Sequence, residues 1–211
     1  MNFVSTFVEQ LAQIRLDNVF NPYRDRCTLH DSIGAEAIRR RNLKIYLRAV
    51  EDMDLRCIWV GRDLGYRGGR RTGLALTDEP SLAIFANTFG GVCVKKATVG
   101  PPVAERTAAE VWKVVPRLTS PPFLWNVFPF HPFSPGDPMS NRTHTARERD
   151  LAVDILASIL GWLKPHRAIA LGRDAVPILE RFGCKPIYVR HPSYGGKADF
   201  LRGIRNLYPL K

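Results

Sequence analysis

Apolar positions near the start of the chain (Val4, Phe7, Val8, Leu11 and Ile14) recur at the spacing of a helix with one buried face. Asn21-Pro22 breaks that pattern. A second helix is predicted from Asp31 or Ser32 to about Met53, with Ile38, Leu43, Leu47 and Val50 turned inward. Beyond it the period changes. Arg56 to Val60, Phe123 to Phe128, Arg167 to Leu171 and Pro186 to Arg190 are short apolar runs, the mark of strands buried on both faces. Thr107-Ala-Ala-Glu110 and Thr145-Ala-Arg-Glu148 have the form of capping boxes. The first opens a helix through Val115; the second opens one whose Leu151, Ile155, Ile159 and Leu163 keep helical spacing. A helix from Asp174 to Phe182, with Pro177 in its first turn, and another from Ala198 to Leu207 complete the series. The Gly- and Arg-rich stretch after Gly61 and the proline-rich stretch Pro129 to Thr143 are predicted to be irregular loops.

Strands that alternate with helices pair in parallel, because right-handed crossovers place the helices on both faces. The pattern therefore predicts an α/β fold: a three-layer α/β/α sandwich around a central, mostly parallel, four-stranded sheet. Ligands of such sheets bind beyond the carboxyl ends of the strands. That rule selects Gly61-Arg62-Asp63, Asn126-Val127-Phe128, Gly172-Arg173-Asp174 and His191-Pro192-Ser193. Asp63, Asn126 and His191 are thus expected to share one cleft.

Composition narrows the class. The chain has 211 residues, long enough for one domain with a real core, and its 45% apolar and 24% charged residues are ordinary globular usage. It carries 31 Lys+Arg against 20 Asp+Glu, a net charge of +11 that suits an anionic partner such as nucleic acid but also mere solubility. No apolar run approaches the ~18 residues of a membrane span. Met1-Asn2-Phe3-Val4 lacks a basic leader and Glu9 follows early, so a soluble, cytoplasmic protein without membrane contact is expected. Cys27, Cys57, Cys93 and Cys184 form no close pair, which argues against a zinc or iron–sulfur site; they are read as reduced thiols, mostly buried. No metal and no cofactor are expected. Arg39-Arg40-Arg41 on the second helix reads as a solvated face in preference to a phosphate contact.

An Asp, an Asn and a His at one cleft lack a nucleophile elbow, a Walker-type phosphate loop and a dinucleotide fingerprint. They fit cleavage of a bond to a heteroaromatic leaving group better. A carboxylate can hold water and stabilise an oxocarbenium-like sugar, and a neutral His can hydrogen-bond the departing anion. An Asn amide can read an imide edge with one donor and one acceptor. Taken singly, Asp63 also reads as a turn residue or helix cap, His191 as a satisfied loop histidine and Asn126 as a structural hydrogen-bonding partner. Trp125, Phe128, Phe130 and Phe133 read first as packing, with Phe128 or Phe130 the better candidates for base stacking. For Arg67, Arg70 and Arg71, phosphate contact and a structural role weigh equally.

Several segments resemble the uracil-DNA glycosylase superfamily. Gly61-Arg62-Asp63-Leu64-Gly65-Tyr66 followed by Gly73-Leu74-Ala75-Leu76-Thr77 is similar to the water-activating motif of the main branch, which reads Gly-Gln-Asp-Pro-Tyr-His and then Gly-Leu-Ala-Phe-Ser at the same spacing. Pro80-Ser81-Leu82 resembles that branch's Pro-Ser loop, Leu124-Trp125-Asn126-Val127 its uracil-reading strand and His191-Pro192-Ser193 its second hallmark. Asn141-Arg142-Thr143-His144-Thr145 is similar to a segment of the iron–sulfur members. The ordered set spans roughly residues 55 to 205. It implies a single catalytic domain over 1–211, with a helical N-terminal part (1–54) and a catalytic core (55–211), acting as a monomer on uracil-containing DNA.

The resemblance also implies roles. Asp63 positions water, His191 stabilises the uracil anion, Asn126 reads the base edge and the backbone near Arg62 binds O2. Ser81, Ser193 and the Gly172-Arg173 turn grip phosphates around a flipped nucleotide. Three positions depart from the main branch: Gly65 replaces the Tyr that excludes thymine, Leu76 the stacking Phe, and Gly195 the intercalating Leu. Tyr66 is expected to supply the missing wall, and Tyr194 or Leu201 the wedge. Gly65 leaves open action on hypoxanthine or mismatched thymine, and His191 leaves open a relative trapped covalently on DNA; the rival from another class is a non-catalytic lesion-binding protein, against which Asp63, Asn126 and His191 together argue.

Overall fold

The computed structural model describes residues 3–208. Helices α1 (Phe3–Gln13) and α2 (Ala35–Asp52) flank a two-residue strand β1 (Val19–Phe20) and lead into strand β2 (Cys57–Asp63). Two short helices, α3 (Gly69–Thr72) and α4 (Leu82–Thr88), precede α5 (Arg106–Val114) and strand β3 (Phe123–Phe128). Strand β4 (His131–Pro132), helix α6 (Ala146–Leu163), strand β5 (Arg167–Leu171), helix α7 (Val176–Arg181), strand β6 (Ile187–Val189) and helix α8 (Lys197–Leu207) follow. The main sheet has the order β3-β2-β5-β6 and every neighbouring pair is parallel. Helices flank it in the three-layer arrangement that the alternation predicts. No helix among the described residues is long and apolar enough to cross a membrane.

Register decides which face each side chain takes. Trp59 lies opposite Leu124 and Val60 opposite Trp125, so the two tryptophans point to opposite faces of the sheet. Trp125 and Phe123 stack and meet the rings of Phe7 on α1 and Trp162 on α6. Trp59 meets Phe200 on α8 instead. One continuous apolar core joins both layers, from Val4 on α1 to Ile204 on α8.

Some local expectations change. β2 continues through Gly61 to Asp63, so the carboxylate sits on the last strand residue and not beyond it. The glycine-rich stretch holds α3 and α4, too short to leave a periodic signal. His131–Pro132 pairs antiparallel with Val19–Phe20, inside a stretch predicted as wholly irregular. The Thr145 capping box forms, with Glu148 closing it. The Thr107 box does not: Glu105 takes the N-cap and accepts from the backbone N–H groups of Thr107 and Ala108. The thiols are less covered than expected, Cys27, Cys57 and Cys184 being half-buried and Cys93 exposed.

The basic run on α2 is not a solvated face throughout. Arg39 is fully buried, where its guanidinium donates to the Asp31 carboxylate and, through Nε, to the Pro22 carbonyl at 2.9 Å. Burying that charge is tolerable because it is paired and hydrogen-bonded. The pair also anchors α2 beneath the segment that follows Asp63. Gly73, at φ +72°, lies so close that a Cβ there would come within 2.7 Å of Arg39 Cβ. Asn42 Nδ2 donates to the Thr72 carbonyl at 3.1 Å and the Tyr23 hydroxyl to the Gly73 carbonyl at 3.1 Å. The N-terminal helical part thus buttresses the loop that carries the site. Asp31→Ala, which strands the Arg39 charge, is expected to cost about 3–5 kcal/mol, read as a lower urea midpoint.

Candidate active site

The carboxyl ends of the four parallel strands open into a cleft of about 1040 Å³. Asp63 reaches it from β2, Asn126 from β3, Arg173 from the turn after β5, and His191, Ser193 and Tyr194 from the loop after β6. Arg62, Tyr66 and Leu76 also line it, so nine of the ten residues expected at the site come together there. Ser81 does not. It is buried and its hydroxyl donates to Asp78 Oδ1, away from the lining.

Asp63 is the most constrained group. Its side chain is only 8% exposed, Oδ2 accepts from Arg62 Nε at 2.7 Å, and Oδ1 contacts His144 Nδ1. Its backbone carbonyl accepts from Asn126 Nδ2 at 3.1 Å. The His144 side chain is equally buried, at 8%, with its ring 5.4 Å from that of Phe128. The sequence did not point to this partner of Asp63, although His144 lies in the Asn141-Arg142-Thr143-His144-Thr145 segment. In the same segment Asn141 Oδ1 accepts from the Tyr66 backbone N–H at 3.0 Å, pinning the loop after Asp63. Arg142 is taken up by Glu148, which it holds with both Nη atoms at 2.6 and 2.7 Å.

Asn126 is 1% exposed, and its Oδ1 is buried without a hydrogen-bond partner. A buried unpaired acceptor is costly. This one borders the cleft. Gly61, its register partner, makes room for the amide, since a Cβ there would come within 2.8 Å of Asn126 Nδ2 and 3.1 Å of Leu76 Cδ2. Leu76 adopts φ +53°, uncommon for a residue with a branched side chain, and its carbonyl is fixed by Trp112 Nε1 at 3.1 Å.

His191 Nδ1 accepts from the Ser193 backbone N–H at 3.2 Å and lies 2.7 Å from the Ser193 hydroxyl. A backbone N–H can only donate, so Nδ1 is unprotonated and the ring proton sits on Nε2. Burial, then the charges of Arg62 and Arg190, push the imidazole pKa down to about 4, against a smaller pull from Asp174. The ring is therefore a neutral donor at physiological pH.

The remaining expected contacts divide. Tyr194 is 95% exposed at φ +50°, which holds its ring out from the rim. Tyr66 is half-buried, and its hydroxyl accepts from Arg67 Nε at 2.7 Å. A Cβ added at Gly65 would meet only Glu105 Cγ, at 3.9 Å, so that wall of the cleft is open. Arg67 is exposed at the cleft, whereas Arg70 and Arg71 are buried: Arg70 lies over the Phe20 ring, and Arg71 pairs with Glu79. Phe128 and Phe130 are fully buried and form no part of the lining, which removes them as stacking partners. Among the described residues, no group of three or more His, Cys, Asp or Glu side chains could hold a metal ion.

The two histidine shifts set a pH dependence. His131, buried beside Arg70, is also lowered to about 4. In the unfolded chain both protonate near 6.5, so there the unfolded state binds more protons. Their contribution is complete above about pH 6.5 and is lost as pH falls toward 4. A urea midpoint that drops across this window, together with a His191 imidazole that stays neutral at pH 6 by NMR, is the expected result.

No family model and no curated protein matches the chain. Among solved structures it is similar to the crystal structure of wild-type SMUG2 from Pedobacter heparinus. The TM-score is 0.68 at 14% identity, over 98% of this chain and 95% of that one. At that identity the likeness is one of fold.

Proposed function

We propose that the chain is a monofunctional DNA glycosylase, one domain acting as a cytoplasmic monomer, that flips uracil out of DNA and hydrolyses its N-glycosidic bond to leave an abasic site. The observation that carries this reading is the meeting of Asp63, Asn126 and His191 from three strand ends in one cleft, where burial and the neighbouring arginines hold His191 in its neutral form. As the glycosidic bond breaks, its electron pair leaves with the base, and His191 Nε2–H stabilises the oxyanion without giving up its proton. Asp63 faces the developing positive charge on the sugar, orients the attacking water and takes its proton. Asn126 Oδ1 accepts from the imide N–H of the base. The hydrogen of Asn126 Nδ2 not spent on the Asp63 carbonyl meets the neighbouring carbonyl oxygen. Cytosine, with a lone pair where uracil has an N–H, leaves that Oδ1 unpaired.

Arg62 through its backbone N–H, Tyr66 and Leu76 surround the base, while Arg173 and Ser193 hold the flanking phosphates and Tyr194 fills the space the base vacates. Ser81, spent on Asp78, is left out of this set. The open wall at Gly65 favours a second reading, in which the same machinery releases a base larger than uracil, such as thymine from a mismatch or hypoxanthine. Abasic-site formation on matched oligonucleotides containing uracil, hypoxanthine or thymine separates the two. Uracil release is expected, slowed by at least about a hundredfold in Asp63→Asn. Release of another base alone would keep the catalytic residues and change the pocket. Tight DNA binding with no release of any base would assign the chain to a non-catalytic role.

A further inference from the structure

We propose that Arg62 is a phosphate-exchanged latch on Asp63: its side chain covers the carboxylate in the empty cleft and is drawn onto a backbone phosphate when DNA is seated. The purpose of the latch rests on the glycosylase reading. With 8% of its side chain exposed and a partner on each oxygen, Asp63 offers a water or a sugar little free surface. Moving one of its two partners aside opens it. His144 is as buried as Asp63 and lies against the Phe128 ring, so it is fixed. The Arg62 side chain is 41% exposed and spans the cleft mouth, from Asp63 Oδ2 through Nε to Asp174 Oδ2 through Nη1 at 3.0 Å.

That outer contact is the weak one. Asp174 is 58% exposed, and an ion pair in such solvent is worth only about 0.2–1 kcal/mol. A phosphodiester at the rim offers the guanidinium a two-oxygen acceptor in place of one exposed carboxylate oxygen. Arg67, Arg106, Arg173 and Arg190 also line the cleft and attract phosphates to it. Asp174 is then the competitor that keeps Arg62 in place until a phosphate arrives. The carboxylate stays covered away from DNA and becomes available on it.

The test is a double-mutant cycle on binding to an unmodified duplex, so that it scores whether or not any base is released. Asp174→Asn is expected to tighten binding by about 1.4- to fivefold, the exposed-pair range converted to affinity. In the Arg62→Gln background the same change should leave affinity unaltered, and Arg62→Gln alone should lower the slope of log affinity against log salt by about one. The Arg62 Nε–H resonance, identified by its loss in Arg62→Gln, should shift when duplex is added. Equal tightening by Asp174→Asn in both backgrounds would reduce Asp174 to a general charge effect and overturn the latch. So would an Arg62 resonance that stays in place on saturated protein. Binding without base release by wild type would count against the glycosylase reading alone, because the cycle and the resonance still decide the latch.

Discussion

The parallel pairing of β2 with β3 is the constraint on which the cleft depends. It sets Gly61 beside Asn126 and Asp63 beside Phe128. An amide and a carboxylate therefore emerge two residues apart on one face of the sheet, at the end where its helices leave room for a ligand. The absence of a side chain at Gly61 is part of the same arrangement, because any Cβ there would collide with the amide that the register brings alongside. A slip of one residue would turn Asp63 and Asn126 to opposite faces. The apolar residues that hold this register, Trp59, Val60, Leu124 and Trp125, are thus as necessary to the site as the polar ones at their ends.

Polar groups placed so deeply must be satisfied or reserved. Asp63 is satisfied: His144 and Arg62 take its oxygens. Asn126 is satisfied on one side only, its amide hydrogen bound to the Asp63 carbonyl and its Oδ1 left open. The backbone carries some of this cost, with Leu76 and Tyr194 both held at positive φ around the same cleft. Such strain persists only against a rigid support. The support here comes from the N-terminal helical part, where the buried Arg39–Asp31 pair and the Asn42 amide fix α2 against the Thr72–Gly73 turn.

Much of this was legible in the sequence because the relevant signals are local or periodic. Four apolar runs, Arg56 to Val60, Phe123 to Phe128, Arg167 to Leu171 and Pro186 to Arg190, were enough to place the strands, their parallel pairing and the convergence of distant side chains. What escaped was set by tertiary competition. Thr107 had the form of a cap, but Glu105 reached the same N–H groups first. Arg39 sat in a basic run that pattern alone reads as solvated, and only the fold brings Asp31 to it. Ser81 matched a phosphate-gripping loop, yet Asp78 three residues earlier captures its hydroxyl. His144 stood next to a correctly read capping threonine. Its role depends on an 81-residue separation from Asp63 that no spacing rule reports.

A fold shared at 14% identity can keep an architecture while its pocket changes, so the chemistry must be argued from the residues themselves. Gly65 and Leu76 border the cleft, and the space beside Gly65 is open. On the proposed reading, steric exclusion therefore contributes less to base choice than hydrogen bonding does. A hydrophobic wall that merely admits or excludes a methyl group is worth about 1–3 kcal/mol, whereas a buried acceptor left unpaired by the wrong base discriminates far more strongly. The unclaimed Oδ1 of Asn126 is such an acceptor. On that reading it selects for an N–H on the base edge before it selects for size, which makes the class of accepted bases a property of one amide held by the sheet.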